Sequence, residues 1–167
     1  MSFNLLMGDI TNLKVDAIVN AANTELKIGG GVCGAIFCAA GPKKLEQACD
    51  MIGTCPVGES VITKGYESSA KYIIHTVGPV WRGGNQGEKR LLENAYNSAL
   101  TMATEHDCQS IAFPLISSGI YGYPKLEALK VAVNVIEEYL ATYDIDVFLI
   151  LFDEQSYELA KKIKNTC

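Results

Sequence analysis

The stretch IVNAANTELKIGGGVCGAIFCAAG, Ile18 to Gly41, decides how the chain reads. An apolar run ends in two asparagines, Asn20 and Asn23. After a short polar turn, three consecutive glycines, Gly29 to Gly31, lead into the helix-compatible segment Val32 to Ala40. The order is strand end, bare backbone, helix start. Glycine has no Cβ, so such a run lets a ligand approach the main chain closely. A helix starting near Val32 has first N–H groups without intrahelical partners and the positive end of its dipole, which suits a phosphate. Asn20 and Asn23 then fall at the carboxyl end of a strand, where open α/β sheets bind ligands, and their amides can donate to and accept from sugar hydroxyls. The competing reading is a glycine-rich turn before a buried helix, and the run alone does not separate the two.

A second stretch, SIAFPLISSGIYGYP from Ser110 to Pro124, repeats the arrangement. Ile111 to Phe113 is a short apolar strand, and the loop after it carries Ser117, Ser118, Gly119 and Gly122 beside Tyr121 and Tyr123. Ser117, Ser118 and the amides of Gly119, Ile120 and Tyr121 are neutral donors for the other side of a diphosphate. Tyr121 adds a rigid wall with a hydroxyl. Two such loops on neighbouring parallel strands make a crevice.

These segments fall in a larger pattern. GDIT at Gly8 to Thr11, VDAIVNAAN at Val15 to Asn23, GGGVCGAI at Gly29 to Ile36, IIHTVGPVW at Ile73 to Trp81 and FPLISSGIYGYP at Phe113 to Pro124 together resemble the macro domain family. The branch that the chain looks most like removes mono-ADP-ribose from proteins and deacetylates O-acetyl-ADP-ribose. The resemblance runs through essentially the whole chain and implies one macro domain over residues 1–167, with a mixed, mostly parallel sheet between helices in a three-layer α/β/α sandwich. It implies ADP-ribose and its conjugates as ligands, and neither metal nor redox cofactor.

The periodicity read from the residues agrees with such a sandwich. Phe3 to Met7, Ala17 to Asn20, Ser60 to Lys64, Tyr72 to Val77 and Asp146 to Phe152 read as strands. Ala17 to Asn20 is nearly all apolar, as a strand covered on both faces should be. Pro42 to Met51 reads as a helix with proline in its first turn. In Glu88 to Glu105, Leu91, Leu92, Ala95, Tyr96, Ala99, Leu100 and Ala103 recur at helical spacing, and Lys125 to Leu140 carries a similar stripe. Glu154 to Lys164 closes the chain as a helix. Strands alternating with helices argue for layers, and no repeat or low-complexity segment interrupts them.

Composition excludes several classes. A chain of 167 residues, 49% hydrophobic and 20% charged, matches an ordinary globular domain. The net charge of -5 disfavours a long nucleic acid, so an anionic ligand must be held locally by amides and helix ends. No run of about 20 apolar residues suggests a membrane span, and no leader pattern stands at Met1, so a soluble, cytoplasmic protein is expected; a monomer is expected too, although the residues themselves do not indicate an oligomeric state. Six cysteines, Cys33, Cys38, Cys49, Cys55, Cys108 and Cys167, form no CxxC pair, so reduced thiols mostly in the core are expected rather than zinc ligands or disulfides. GxGxxG directly after a strand and GxxxxGK[ST] are both missing, which sets aside dehydrogenase and P-loop readings.

The resemblance also assigns residues. Asp9 is expected to read the adenine amino group and the Ile10 amide a ring nitrogen; the competing role for Asp9 is a helix or turn cap. Phe152 is expected to stack on adenine, with core packing as the alternative, while Asp153 either caps the following helix or touches a ribose. Gly30, Gly31, Val32, Ser117, Ser118, Gly119 and Ile120 would hold diphosphate, with Asn20 as a further ligand-binding residue. Asn23 would hold the distal ribose and a water, and Tyr121 would shape the ribose pocket. His75, inside an apolar strand, reads as structural, His106 as a helix-end charge, and Trp81 to Gly84 as a rim loop with Arg82 solvated.

One position departs from the family pattern. The hydrolase branch usually has aspartate after GGGV, where it orients the attacking water, and a histidine further along the helix; here these positions are Cys33 and Phe37. A neutral thiol cannot act as the general base that a carboxylate provides, a contribution worth about 10²- to 10⁴-fold. Some relatives, notably viral ones, have a small uncharged residue at this place and still hydrolyse mono-ADP-ribosyl proteins, the ligand's own phosphate positioning water. No histidine is placed to make Cys33 a nucleophile. Two readings therefore stand: a hydrolase of ADP-ribose conjugates, and a reader that binds ADP-ribose without turnover.

Overall fold

A computed structural model describes residues 2–166 of the chain. Its elements are β1 Ser2–Met7, a short 3-10 helix Ile10–Asn12, β2 Ala17–Ala22, α1 Gly31–Ala40, α2 Pro42–Ile52, β3 Ser60–Lys64, β4 Tyr72–Val77, α3 Glu88–Glu105, β5 Ser110–Phe113, α4 Lys125–Leu140, β6 Asp146–Leu151 and α5 Glu154–Thr166. The strands form one mixed sheet in the order β1-β6-β5-β2-β4-β3, parallel except where β3 runs antiparallel to β4. This is the three-layer α/β/α sandwich expected.

Alternation along the strands explains the layers. In β2, Ala17 and Val19 join a core with Leu92, Tyr96, Leu129 and Ile136 of α3 and α4. Ile18, between them, points the other way into a core with Ile36, Phe37 and Leu45 of α1 and α2. A strand fully enclosed in this way has no polar face to show, which is why its sequence is apolar at every position but Asn20. Each large side chain buried in these cores contributes about 1.5–3 kcal/mol.

Element ends differ from the sequence expectation by one or two residues, and two of the shifts bear on the site. β2 continues past Asn20 to Ala22, so Asn20 lies inside the sheet with backbone partners in β4. β6 stops at Leu151, so Phe152 lies just beyond the strand rather than ending it. β1, β6, β5 and β2 are four adjacent parallel strands, and their carboxyl ends open on one edge of the sheet.

Candidate functional site

A cleft of about 710 Å³ occupies that edge. It is bounded by Gly8, Asp9 and Ile10 after β1, by Asn23 and residues 29–33 after β2, by residues 114–121 after β5, and by Phe152 and Asp153 after β6. Asp9, Ile10, Asn23, Gly30, Gly31, Val32, Cys33, Ser117, Ser118, Gly119, Ile120, Tyr121 and Phe152 all lie on its wall.

The first loop is stitched by its own side chain. Asn23 Oδ1 accepts from the Lys27 amide and Asn23 Nδ2 donates to the Lys27 carbonyl, each at 2.9 Å. One Nδ2 hydrogen and one Oδ1 lone pair remain for another partner. Gly31 opens α1 with φ +56°, a left-handed conformation costly for residues with a Cβ. Gly30 caps the helix without a side-chain hydrogen bond, so no side chain competes with an anion for the first N–H groups.

Cys33 follows in the first turn, buried. Burial raises its pKa, and the hydrogen bonds from the Gly29 backbone and the Asn20 side chain only partly oppose this. The thiol is therefore protonated at neutral pH and is no substitute for a carboxylate base.

Asn20 departs from its expected place. It is 1% exposed and absent from the cleft wall; its Nδ2 lies 3.0 Å from His75 Nδ1. The neighbouring Thr63 hydroxyl donates to the Lys64 carbonyl, so it accepts from His75 Nε2, 3.0 Å away, and His75 Nδ1 is the acceptor for Asn20. Burial lowers the His75 pKa to about 4, which keeps the ring neutral. His75 is structural, as expected, and Asn20 belongs with it under the cleft floor. The physical reason is the length of β2: two further strand residues carry the chain to the rim before Asn23.

On the β1 side, Asp9 Oδ1 accepts from the Thr11 amide at 2.9 Å and the Thr11 hydroxyl at 2.7 Å, which lowers its pKa. The carboxylate is thus a cap through Oδ1. Asp153 caps α5 through the Ser156 amide at 2.7 Å and pairs with Lys125 at 3.1 Å. Phe152 is 89% exposed and Ile120 93%, so neither packs in the core.

The second loop has different supports. Ser117 takes φ +68°, and its hydroxyl is buried with no hydrogen-bond partner among the described residues. Ser118 donates to the Leu115 carbonyl at 2.9 Å. Tyr121 lines the cleft together with residues 29–33, and burial is the main cause that raises its pKa.

The Tyr96 hydroxyl of α3, fully buried, accepts from the Ile116 amide at 3.1 Å and faces the Pro114 carbonyl. The Trp81 amide donates to the Tyr121 carbonyl at 2.8 Å, and the Trp81 ring packs on Tyr123 with centroids 4.7 Å apart. The Trp81 to Gly84 segment is therefore a brace behind the second loop, outside the cleft wall rather than on its rim. The sequence reading passed over Glu88, which organises this brace. A glutamate at a helix start, directly after a glycine-rich loop, is the signal that marks it.

Comparison with known proteins agrees with this geometry. Residues 19–132 match the Macro domain model. The chain belongs to the macro domain family. This macro domain is 58% identical over 136 residues to a macro domain-containing protein of Chlorobaculum tepidum, covering 81% of this chain and 78% of that one. It is 48% identical over 165 residues to an O-acetyl-ADP-ribose deacetylase of Salmonella typhimurium, covering 95% and 92%. The Oceanobacillus iheyensis macrodomain with ADP superposes with a TM-score of 0.92 at 40% identity, covering 97% and 88%. The Trypanosoma brucei macrodomain in complex with ADP-ribose superposes at 0.86 with 39% identity, covering 96% and 68%.

Among the described residues, no helix is long and apolar enough to cross a membrane and no group of acidic, histidine or cysteine side chains could hold a metal ion. Cys33, Cys49, Cys55 and Cys108 are buried free thiols and Cys38 an exposed one; Cys167 lies outside the described residues.

Proposed function

We propose that the chain, acting as one macro domain over its whole length, binds ADP-ribose in this cleft and hydrolyses its conjugates, either mono-ADP-ribosyl proteins or O-acetyl-ADP-ribose. The observation that carries the reading is the pairing of two uncharged, amide-rich loops across one cleft, with the uncapped start of α1 between them. A diphosphate fits such a site because backbone N–H groups and a helix dipole hold negative charge there, and the lysine on the cleft wall, Lys125, is paired with Asp153 at 3.1 Å. The related structures with ADP and with ADP-ribose support the same ligand.

The adenine lies at the Asp9, Ile10 and Phe152 end, the diphosphate between Gly30 to Val32 and Ser117 to Ile120, and the distal ribose against Asn23, Cys33 and Tyr121. For a protein carboxyl ester at the anomeric carbon, water held at the free Asn23 amide positions attacks that carbon, the carbon–oxygen bond to the carrier breaks, the carboxylate leaves and the water's proton passes to solvent. For O-acetyl-ADP-ribose the water attacks the acetyl carbonyl instead, and acetate leaves as the ester carbon–oxygen bond breaks. The ligand's own phosphate helps position that water, since Cys33 is neutral. A soluble, cytoplasmic and monomeric setting belongs to the same proposal.

The protonated thiol at Cys33 favours a second reading, an ADP-ribose reader without turnover. One experiment separates the two: incubation with a protein mono-ADP-ribosylated on Asp or Glu, and separately with O-acetyl-ADP-ribose, with calorimetry of free ADP-ribose on the same sample. Binding with release of ADP-ribose or acetate supports the hydrolase; binding without either supports the reader. Cys33→Asp is expected to raise the hydrolysis rate, by up to about 10²-fold, where the missing base is the limit. An unchanged rate would mean that water is organised without any group at that position.

A further inference from the structure

The cleft's second loop makes one contact whose support reaches outside the site. Tyr121 is tied by its carbonyl to the Trp81 amide, so whatever fixes Trp81 also fixes Tyr121. Residues 81–87 contain no helix or strand and are mostly exposed, and a segment of that kind is ordinarily mobile. Here it is wound around one carboxylate. Glu88, 2% exposed at the start of α3, accepts from the Arg82 amide at 2.8 Å, the Gly84 amide at 2.9 Å and the Gln86 amide at 2.6 Å.

Alternate amides aimed at one anion make a nest, filled here by the chain's own side chain. The nest presses Gly84 onto the indole: a Cβ at Gly84, where φ is +91°, would lie 2.9 Å from the Trp81 ring. The ring in turn packs on Tyr123. The path from Glu88 to Gly84, Trp81 and Tyr121 is continuous in hydrogen bonds and packing. About two turns further along α3, Tyr96 holds the loop's beginning through Ile116.

We propose that Glu88 is a positioning residue for ADP-ribose recognition: by gathering residues 81–87 into a brace behind Trp81, it sets Tyr121 against the distal ribose end of the cleft. The proposal rests on the ligand reading above. It requires that loss of the Glu88 charge act on the Tyr121 end of the ligand and leave the Asp9 end alone. A general contribution to stability would weaken both ends together.

Trp81 is the chain's single tryptophan, so its emission reports on the brace directly. The test is calorimetry of ADP-ribose and of AMP, with Trp81 fluorescence, on the parent chain, Glu88→Gln, Tyr121→Ala and the double variant. Glu88→Gln is expected to weaken ADP-ribose about tenfold with AMP within about twofold, and to move Trp81 emission to the red. In the Tyr121→Ala background it should cost no more than about twofold further, because both changes remove the same contact. Gly84→Ala is expected to reproduce the pattern by displacing the indole with the carboxylate intact, and carries the test where Glu88→Gln does not fold.

Equal losses of ADP-ribose and AMP, losses that add fully with Tyr121→Ala, or unshifted emission with parental affinities in both variants would each overturn the role of Glu88. Failure of the parent chain to bind ADP-ribose is a separate result: it would overturn the ligand reading, and the positioning role with it.

Discussion

The two loops that face each other across the cleft present similar chemistry and are stabilised in opposite ways. The loop after β2 is held from within: Asn23 stitches it to Lys27 four residues on, and Gly31 sets the entry into α1. The loop after β5 is held from behind, by Tyr96 and by the brace that Glu88 gathers around Trp81. A site built with one local and one borrowed wall separates two kinds of failure. Damage to the first loop arises at residues on the cleft wall itself; damage to the second can arise well away from it.

The largest effect that would sharpen this contrast is expected at Asn23. Asn23→Ala removes both the stitch to Lys27 and the amide positions left for water. Turnover of a mono-ADP-ribosyl protein should fall by about 10²- to 10⁴-fold, whereas AMP, which the proposed pose puts at the other end of the cleft, should bind within a few-fold of the parent. Turnover equal to the parent's would remove Asn23 from the chemistry.

Under the first loop, His75 predicts a pH dependence. Its folded pKa of about 4 lies below the unfolded value near 6.5, so between these values the unfolded chain binds a proton that the folded chain does not. Stability contributed by neutral His75 is complete above pH 6.5, falls as pH drops toward 4, and changes no further below that. The shift corresponds to on the order of 3 kcal/mol. Urea unfolding of the parent and of His75→Gln across this range checks it: the variant should lack this part of the slope, and identical slopes would show that His75 titrates normally in the fold.

A smaller loss is expected from Gly31→Val, which places a β-branched residue at φ +56° and costs about 1–3 kcal/mol in ADP-ribose affinity or stability. Gly30, in extended backbone, carries no such strain, so Gly30→Ala measured alongside isolates the conformational part. Smallest is Asp9→Ala, expected to weaken ADP-ribose about tenfold through lost contact with adenine while ribose 5-phosphate is unaffected. Equal weakening of the two ligands would mean that Asp9 serves only as the cap on Thr11.

Much of this was legible before any coordinates. A strand enclosed on both faces is mostly apolar, and helices with one buried stripe repeat every three to four residues, so the alternation of elements could be read directly. Gly29 to Gly31 taken alone reads equally as a turn before a buried helix; it stood out because Ser117 to Tyr121 repeats bare backbone and small hydroxyls after a second apolar strand. Asn20 was misplaced because strand ends are decided by pairing with β4, a partner about fifty residues away. One residue of register decides whether an amide faces a cleft or a buried histidine.

The sequence by itself determined the class of fold, the two loops and the loss of a carboxylate at Cys33, since these depend on local patterning and on residue chemistry. Only the tertiary structure decided that Asn20 serves His75, that Asp9 already caps Thr11, and that Glu88 closes a nest behind Trp81. Each of those is a hydrogen bond whose competing partners look equally suitable in one dimension. The choice is made when packing removes water and leaves each buried donor or acceptor within reach of particular neighbours.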